Sequence, residues 1–137
     1  MSASTAVALV PRKEVWVGRI LSGLVTLFLL MDGIMKQFRP DFVLKEMVRL
    51  GYPESLTRGI GMALLACVVL YMIPRTSILG AIFLTGYLGG AVATHTRIGD
   101  PLFSHILFPT YMAAFMWGGL YLRDARLREL IPLRKPI

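Results

Sequence analysis

TSILGAIFLTGYLGGAVAT, residues 76–94, carries no charged side chain and ends at His95. As a helix rising 1.5 Å per residue it would cover most of the ~30 Å hydrocarbon core of a bilayer. Soluble domains seldom need such a segment. Similar apolar runs occur in three other parts of the chain, so the sequence reads as a membrane-embedded protein. Its function is then to be sought among the few polar groups that the membrane must accommodate.

Working outward from this stretch, Ile73-Pro74-Arg75-Thr76 reads as a tight turn, because Pro74 disfavours helix at the residue before it. Before the turn, 16 uncharged residues separate Arg58 from Arg75. They extend about 24 Å and need flanking arginines or local thinning to complete a crossing. After residues 76–95, Asp100-Pro101 reads as an N-cap followed by proline at the first helical position. Pro109 falls within that helix and is expected to bend it. The first apolar stretch has its uncharged centre at Ile20–Met31, with Trp16 and Arg19 suited to the interface. No small-x-small cleavage site follows it, so it reads as a retained span rather than a signal peptide.

The predicted fold is all-α: an integral membrane four-helix bundle with spans at about 14–36, 57–74, 76–95 and 101–122. A short amphipathic interfacial helix lies between the first two. In residues 41–50, Phe42, Val43, Leu44, Met47, Val48 and Leu50 oppose Lys45, Glu46 and Arg49, with Gly51 and Pro53 as stop signals. Residues 1–13 form an N-terminal tail. Residues 124–137 form a basic tail whose apolar side is Leu127, Leu130 and Ile131, continuing from Leu122.

Four spans place both termini on one side. That side holds nine basic residues: Arg12, Lys13, Arg19, Arg75, Arg123, Arg126, Arg128, Arg134 and Lys135. The other holds six: Lys36, Arg39, Lys45, Arg49, Arg58 and Arg97. The bias places both termini in the cytoplasm.

Hydrophobic residues make up 55% of the 137, and the formal net charge is +7. In a soluble chain that charge would suggest nucleic acid. Here no basic patch is interleaved with exposed aromatics on a foldable soluble domain, so the charge reads as topogenic loops touching anionic lipid. A lone cysteine, Cys67, excludes an intrachain disulfide.

The candidate site is a set of polar groups at the outer end. Asp32 and Lys36 are four apart and share a helix face. His95 closes the third span and His105 opens the fourth, with Arg97 between them. Asp32 and His95 are expected to converge inside the bundle. Lys36, Arg97 and His105 should stand at the rim, with segment 41–50 as a lid. Such an asymmetric cavity suits a small molecule. Two neighbouring histidines could also hold a metal or haem, although no CxxCH or HxxxH spacing supports this. The small residues Gly86 and Gly90, spaced GxxxG, predict close helix packing, within one subunit or in a homo-oligomer seam.

The blocks WVGRILSGLVTLFLLMDGIMK, RLGYP, IPRTSILGAIFLTGYLGGAVATHTRIG and FPTYMAAFMWGGLYLRD closely resemble the DoxX-like family of small bacterial four-helix membrane proteins. The resemblance runs from about Trp16 to Arg123. The broader group takes its name from a subunit of an archaeal thiosulfate:quinone oxidoreductase. Distant relatives act in receptor assembly and cargo export. The resemblance implies fold and membrane placement and draws attention to Asp32, Lys36, His95 and Arg97, but it assigns them no catalytic role.

Three functions compete. The first is a ligand-binding or accessory subunit of a quinone-linked or redox-stress system. The second is a membrane assembly factor or structural partner without chemistry. The third is a haem or metal protein using His95 and His105.

Overall fold

Helix α1 (Arg12–Phe38) begins directly after Pro11. It ends where Arg39 turns into the left-handed region at φ 55°, its N–H bonded to the Met35 carbonyl at 3.1 Å. Pro40 follows and cannot continue the helix. Gly18, Ser22, Val25, Leu29 and Gly33 form its buried stripe at helical spacing, while Ile20, Leu24, Leu27 and Met31 face outward. A helix that exposes so many large apolar residues requires an apolar solvent. The computed structural model describes residues 10–133 and 136, and among these all regular structure is helical.

Helix α2 (Asp41–Arg49) follows, with Met47 on its buried side. Gly51, at φ 90°, stops it: the Gly51 N–H meets the Val48 carbonyl and the Tyr52 N–H meets that of Met47, both at 2.9 Å. This paired closure needs a left-handed residue after the helix, which glycine adopts without strain. A single 3₁₀ turn (Glu54–Leu56) leads into α3 (Thr57–Met72). After the turn at Pro74, α4 runs from Ser77 to Arg97.

Arg12–Phe38, Glu54–Met72 and Ser77–Arg97 are each long and apolar enough to cross a membrane. The protein is therefore an all-α integral membrane protein with three apolar spanning helices and additional shorter ones. The fourth segment differs from expectation. It is not one helix over 101–122 but a π-helical turn (Leu102–Ile106) followed by α5 (Phe108–Arg123). Pro109 sits in the first turn of α5, where its missing N–H leaves no helical bond unmade, so the irregularity falls before it rather than at a mid-helix kink. Asp100 does not cap the segment, because its carboxylate is engaged by Arg49 and His95.

Helix α1 packs against α3 and α5, and α4 packs against the same two. Val25, Leu29, Leu64, Val68, Tyr71, Leu84, Met116 and Leu120 fill the centre. A short α6 (Ala125–Leu130) is capped by Asp124, whose Oδ1 accepts the N–H groups of Arg126 and Leu127 at 2.9 and 3.2 Å. It buries Leu127 and returns to α1 through Arg128–Glu14 at 2.5 Å; Leu130 and Ile131, expected on the same apolar side, are exposed.

Close helix contacts are made by glycines other than the expected pair. A Cβ on Gly18 would lie 2.6 Å from the Gly119 carbonyl oxygen, and one on Gly80 would run into the backbone of Tyr71. At Gly86 and Gly90 a Cβ would meet nothing within 4 Å. The GxxxG spacing thus does not mark a helix contact within this chain. Spacing shows which small residues share a face, whereas the large residues Leu84 and Leu88 determine that the opposite face of α4 turns inward.

Candidate functional site

At the α2 end of the molecule lies a cavity of about 540 Å³, walled by α1, α2, α4 and α5. Phe28, Phe42, Phe108, Met47 and Met112 make most of its surface apolar. Asp32, Lys36, Tyr52, Tyr87, Thr94 and His95 supply polar groups.

The sequence brings the first pair to one place by helical spacing. Lys36 Nζ donates to Asp32 Oδ2 at 2.5 Å across one turn of α1. Lys36, with 12% of its side chain exposed, is the more buried of the two, and Asp32 has 39% exposed. The expected order, with Asp32 inside and Lys36 at the rim, is reversed.

His95 shares the cavity with Asp32 but is not bonded to it. Its Nδ1 lies 2.5 Å from Asp100 Oδ2. A carboxylate acceptor requires the proton to be on Nδ1, so in the neutral ring Nε2 is left as an acceptor. Asp100 also binds Arg49 Nη1 and Nη2 at 2.7 and 3.1 Å, and Arg49 in turn binds Glu46 at 2.5 and 2.9 Å. The hydrogen bonds from Arg49 first, then from His95, hold the Asp100 carboxyl well below the usual range. Arg49 likewise lowers Glu46. One chain of charges therefore joins α2 to the end of α4 and fixes both the position and the tautomer of His95.

The two remaining candidates stand apart from the cavity wall. Arg97 Nη2 donates to the Leu50 carbonyl at 2.5 Å, and its guanidinium covers Gly51. Its place is at the C-terminus of α2, where a cation suits the exposed carbonyls. His105 lies on the π-helical turn, its Nδ1 2.8 Å from Ser104 Oγ and its ring edge-to-face with His95, centroids 6.0 Å apart. Among the described residues, no group of three or more His, Cys, Asp or Glu side chains could hold a metal ion.

Sequence reading missed five participants. Arg49, Glu46 and Asp100 had plausible local roles and gave no sign of a long-range network. Tyr52 reaches Thr94 from 42 positions away: Thr94 Oγ1 donates to the Gly90 carbonyl, so the Tyr52 hydroxyl is the donor in their 2.8 Å bond. Tyr87, three residues from Gly90, faces the cavity with no hydrogen-bond partner for its hydroxyl among the described residues. An aromatic hydroxyl in an otherwise apolar membrane stretch was the available signal.

Compared with known proteins, residues 20–119 match the family model described as the DoxX-like family. No curated protein and no solved structure matches the chain.

Proposed function

The chain belongs to the DoxX-like family, and from that premise we propose that it is a four-span bundle holding a lipid-soluble, quinone-type ligand, as an accessory subunit of a redox system. The fourth span in this reading is the π-helical turn together with α5, Leu102–Arg123, which carries the outward residues Phe108, Tyr111 and Phe115. An even number of spans and the bias of basic residues support cytoplasmic termini. The cavity then opens at the outer leaflet.

The observation that carries the ligand reading is the joint presence of Lys36, Tyr87 and His95 around one mainly apolar cavity. A quinone offers a flat apolar ring and two carbonyl acceptors; its reduced form offers two hydroxyl donors. Lys36 and Tyr87 are donors, and His95 Nε2 and Asp32 are acceptors, so both forms find partners. The cavity volume lies within the range usual for small-ligand sites. Orientation comes from the Arg49–Asp100–His95 chain, which locks the ring that would face the ligand.

The test is organic extraction of protein purified in mild detergent, with quinones quantified by mass spectrometry. Wild type should retain quinone well above an empty-micelle control. Tyr87→Phe and His95→Ala should each reduce retention about fivefold or more, the effect of losing one hydrogen bond to the ligand. Retention equal to the micelle control, or unchanged in both variants, would sink the proposal. The edge-to-face pair His95–His105 favours one second reading, a haem site. A Soret band in the same sample would establish it in place of the quinone.

A further inference from the structure

We propose that a second groove, on the middle of α1 beside the C-terminal ends of α3 and α5, is a binding site for an acidic phospholipid. It has a volume of about 410 Å³ and lies between α1 and the end of α3, with Arg123 at its mouth. Its α1 wall is Ser22, Gly23, Thr26, Leu27 and Leu30. From Gly23, Thr26, Leu27 and Leu30 lie at i+3, i+4 and i+7, and with Ser22 they make a helical stripe about 12 Å long. The wall is apolar and small enough to admit an acyl chain alongside Met72 of α3.

The charge at the mouth identifies the headgroup. Arg123 Nε donates to Ser22 Oγ at 3.2 Å, and the guanidinium stands 5.8 Å from the centre of the Tyr71 ring. The Tyr71 hydroxyl donates to the Met116 carbonyl at 2.9 Å, so it must accept from Ser22 at 2.8 Å. Ser22 in turn accepts from Arg123. This relay, running in one direction, holds the guanidinium by its Nε and leaves both terminal nitrogens without an acceptor among the described residues. The neighbouring carboxylates are committed elsewhere: Glu14 to Arg128, and Asp124 to the cap of α6.

Ser22 lies about 15 Å along α1 from Arg12, so this is an unbalanced cation set below the end of the helix, where charge is costly without a counterion. A phosphodiester meets the free guanidinium edge in a two-pronged fashion. Arg19, one turn beyond Gly23 on the same face, adds to the positive field. A zwitterionic lipid would fill the same groove but carries its own compensating cation, so the site should select net negative charge.

Gly23 allows a clean test. A Cβ there meets nothing within 4 Å, so the side chain of Gly23→Leu starts into the groove with no backbone clash, and an unchanged melting temperature checks that the rest fits. The protein is purified from membranes or nanodiscs containing equal phosphatidylglycerol and phosphatidylcholine, and the retained lipids are quantified by mass spectrometry. Wild type should enrich phosphatidylglycerol about fivefold or more over the bulk. Arg123→Gln and Gly23→Leu should each bring the ratio back to that of the bulk, while Gly86→Leu, on another exposed face, should keep the enrichment. Should Arg123→Gln not fold, Gly23→Leu with an unchanged melting temperature decides alone. No enrichment in wild type, or enrichment that survives Gly23→Leu, would overturn the proposal. Equal thermal stabilisation by inorganic phosphate and by phosphatidylglycerol would overturn it in favour of a free-anion site.

Discussion

Gly80→Ala and Gly86→Ala are the same chemical change on the same helix, at the fourth and tenth residues of α4, yet they should move stability in opposite directions. At Gly80 the added methyl would meet the backbone nitrogen of Tyr71 and lie 2.7 Å from its Cα. Backbone cannot rotate away as a side chain can, so α3 and α4 must separate next to their connecting turn. Overpacking of this kind costs about 1–3 kcal/mol, and the helix-propensity gain of replacing glycine returns about 0.8 kcal/mol. The net expectation is a loss of up to about 2 kcal/mol. At Gly86 nothing lies within 4 Å, so only the gain remains. Thermal unfolding in detergent, followed by the fluorescence of Trp16 and Trp117, should show Gly80→Ala melting several degrees below wild type and Gly86→Ala slightly above it. The reasoning is refuted if Gly86→Ala is the more destabilising of the two. That result would place the GxxxG face in a close helix contact that a single chain does not make.

Two further outcomes are expected. The carboxyls of Glu46 and Asp100 are lowered in the folded protein, so the stability they lend α2 is fully present above the ordinary Asp and Glu range and is lost as the pH falls below that range through their lowered values. Protection of the α2 amides, taken relative to the intrinsic exchange rate at each pH, should therefore stay constant from pH 8 to about 5, fall in stronger acid, and already be low at neutral pH in Asp100→Asn; neutral-pH protection equal to wild type would count against the clamp. In a Cys67→Ser background, a cysteine at Glu54 should react with an impermeant thiol reagent on intact cells, and one at Leu133 only after permeabilisation. The reverse pattern would invert the topology.

Membrane placement and helical class were legible in the residues alone, because the bilayer imposes a one-dimensional rule. About 20 apolar residues must occur together, and loops must carry the charge. Asp32 and Lys36 were legible for a similar reason, since an i, i+4 pair on a helix is a local fact. The reading of α2 and its glycine stop also followed from local spacing. What lay beyond the sequence was every relation set by rotation and distance between helices. Gly80, not Gly86, meets a neighbouring backbone because the large core residues of α4 choose its inward face. Asp100 forgoes a cap for Arg49, 51 positions away, since a charge-assisted bond with two partners outweighs a local turn. Arg97 closes α2 rather than facing the cavity, and Arg123 is held by a serine 101 positions distant. Hydropathy and spacing determine which segments enter the membrane; only packing decides which polar groups meet there, because a buried donor or acceptor takes whatever partner the tertiary contacts bring within reach.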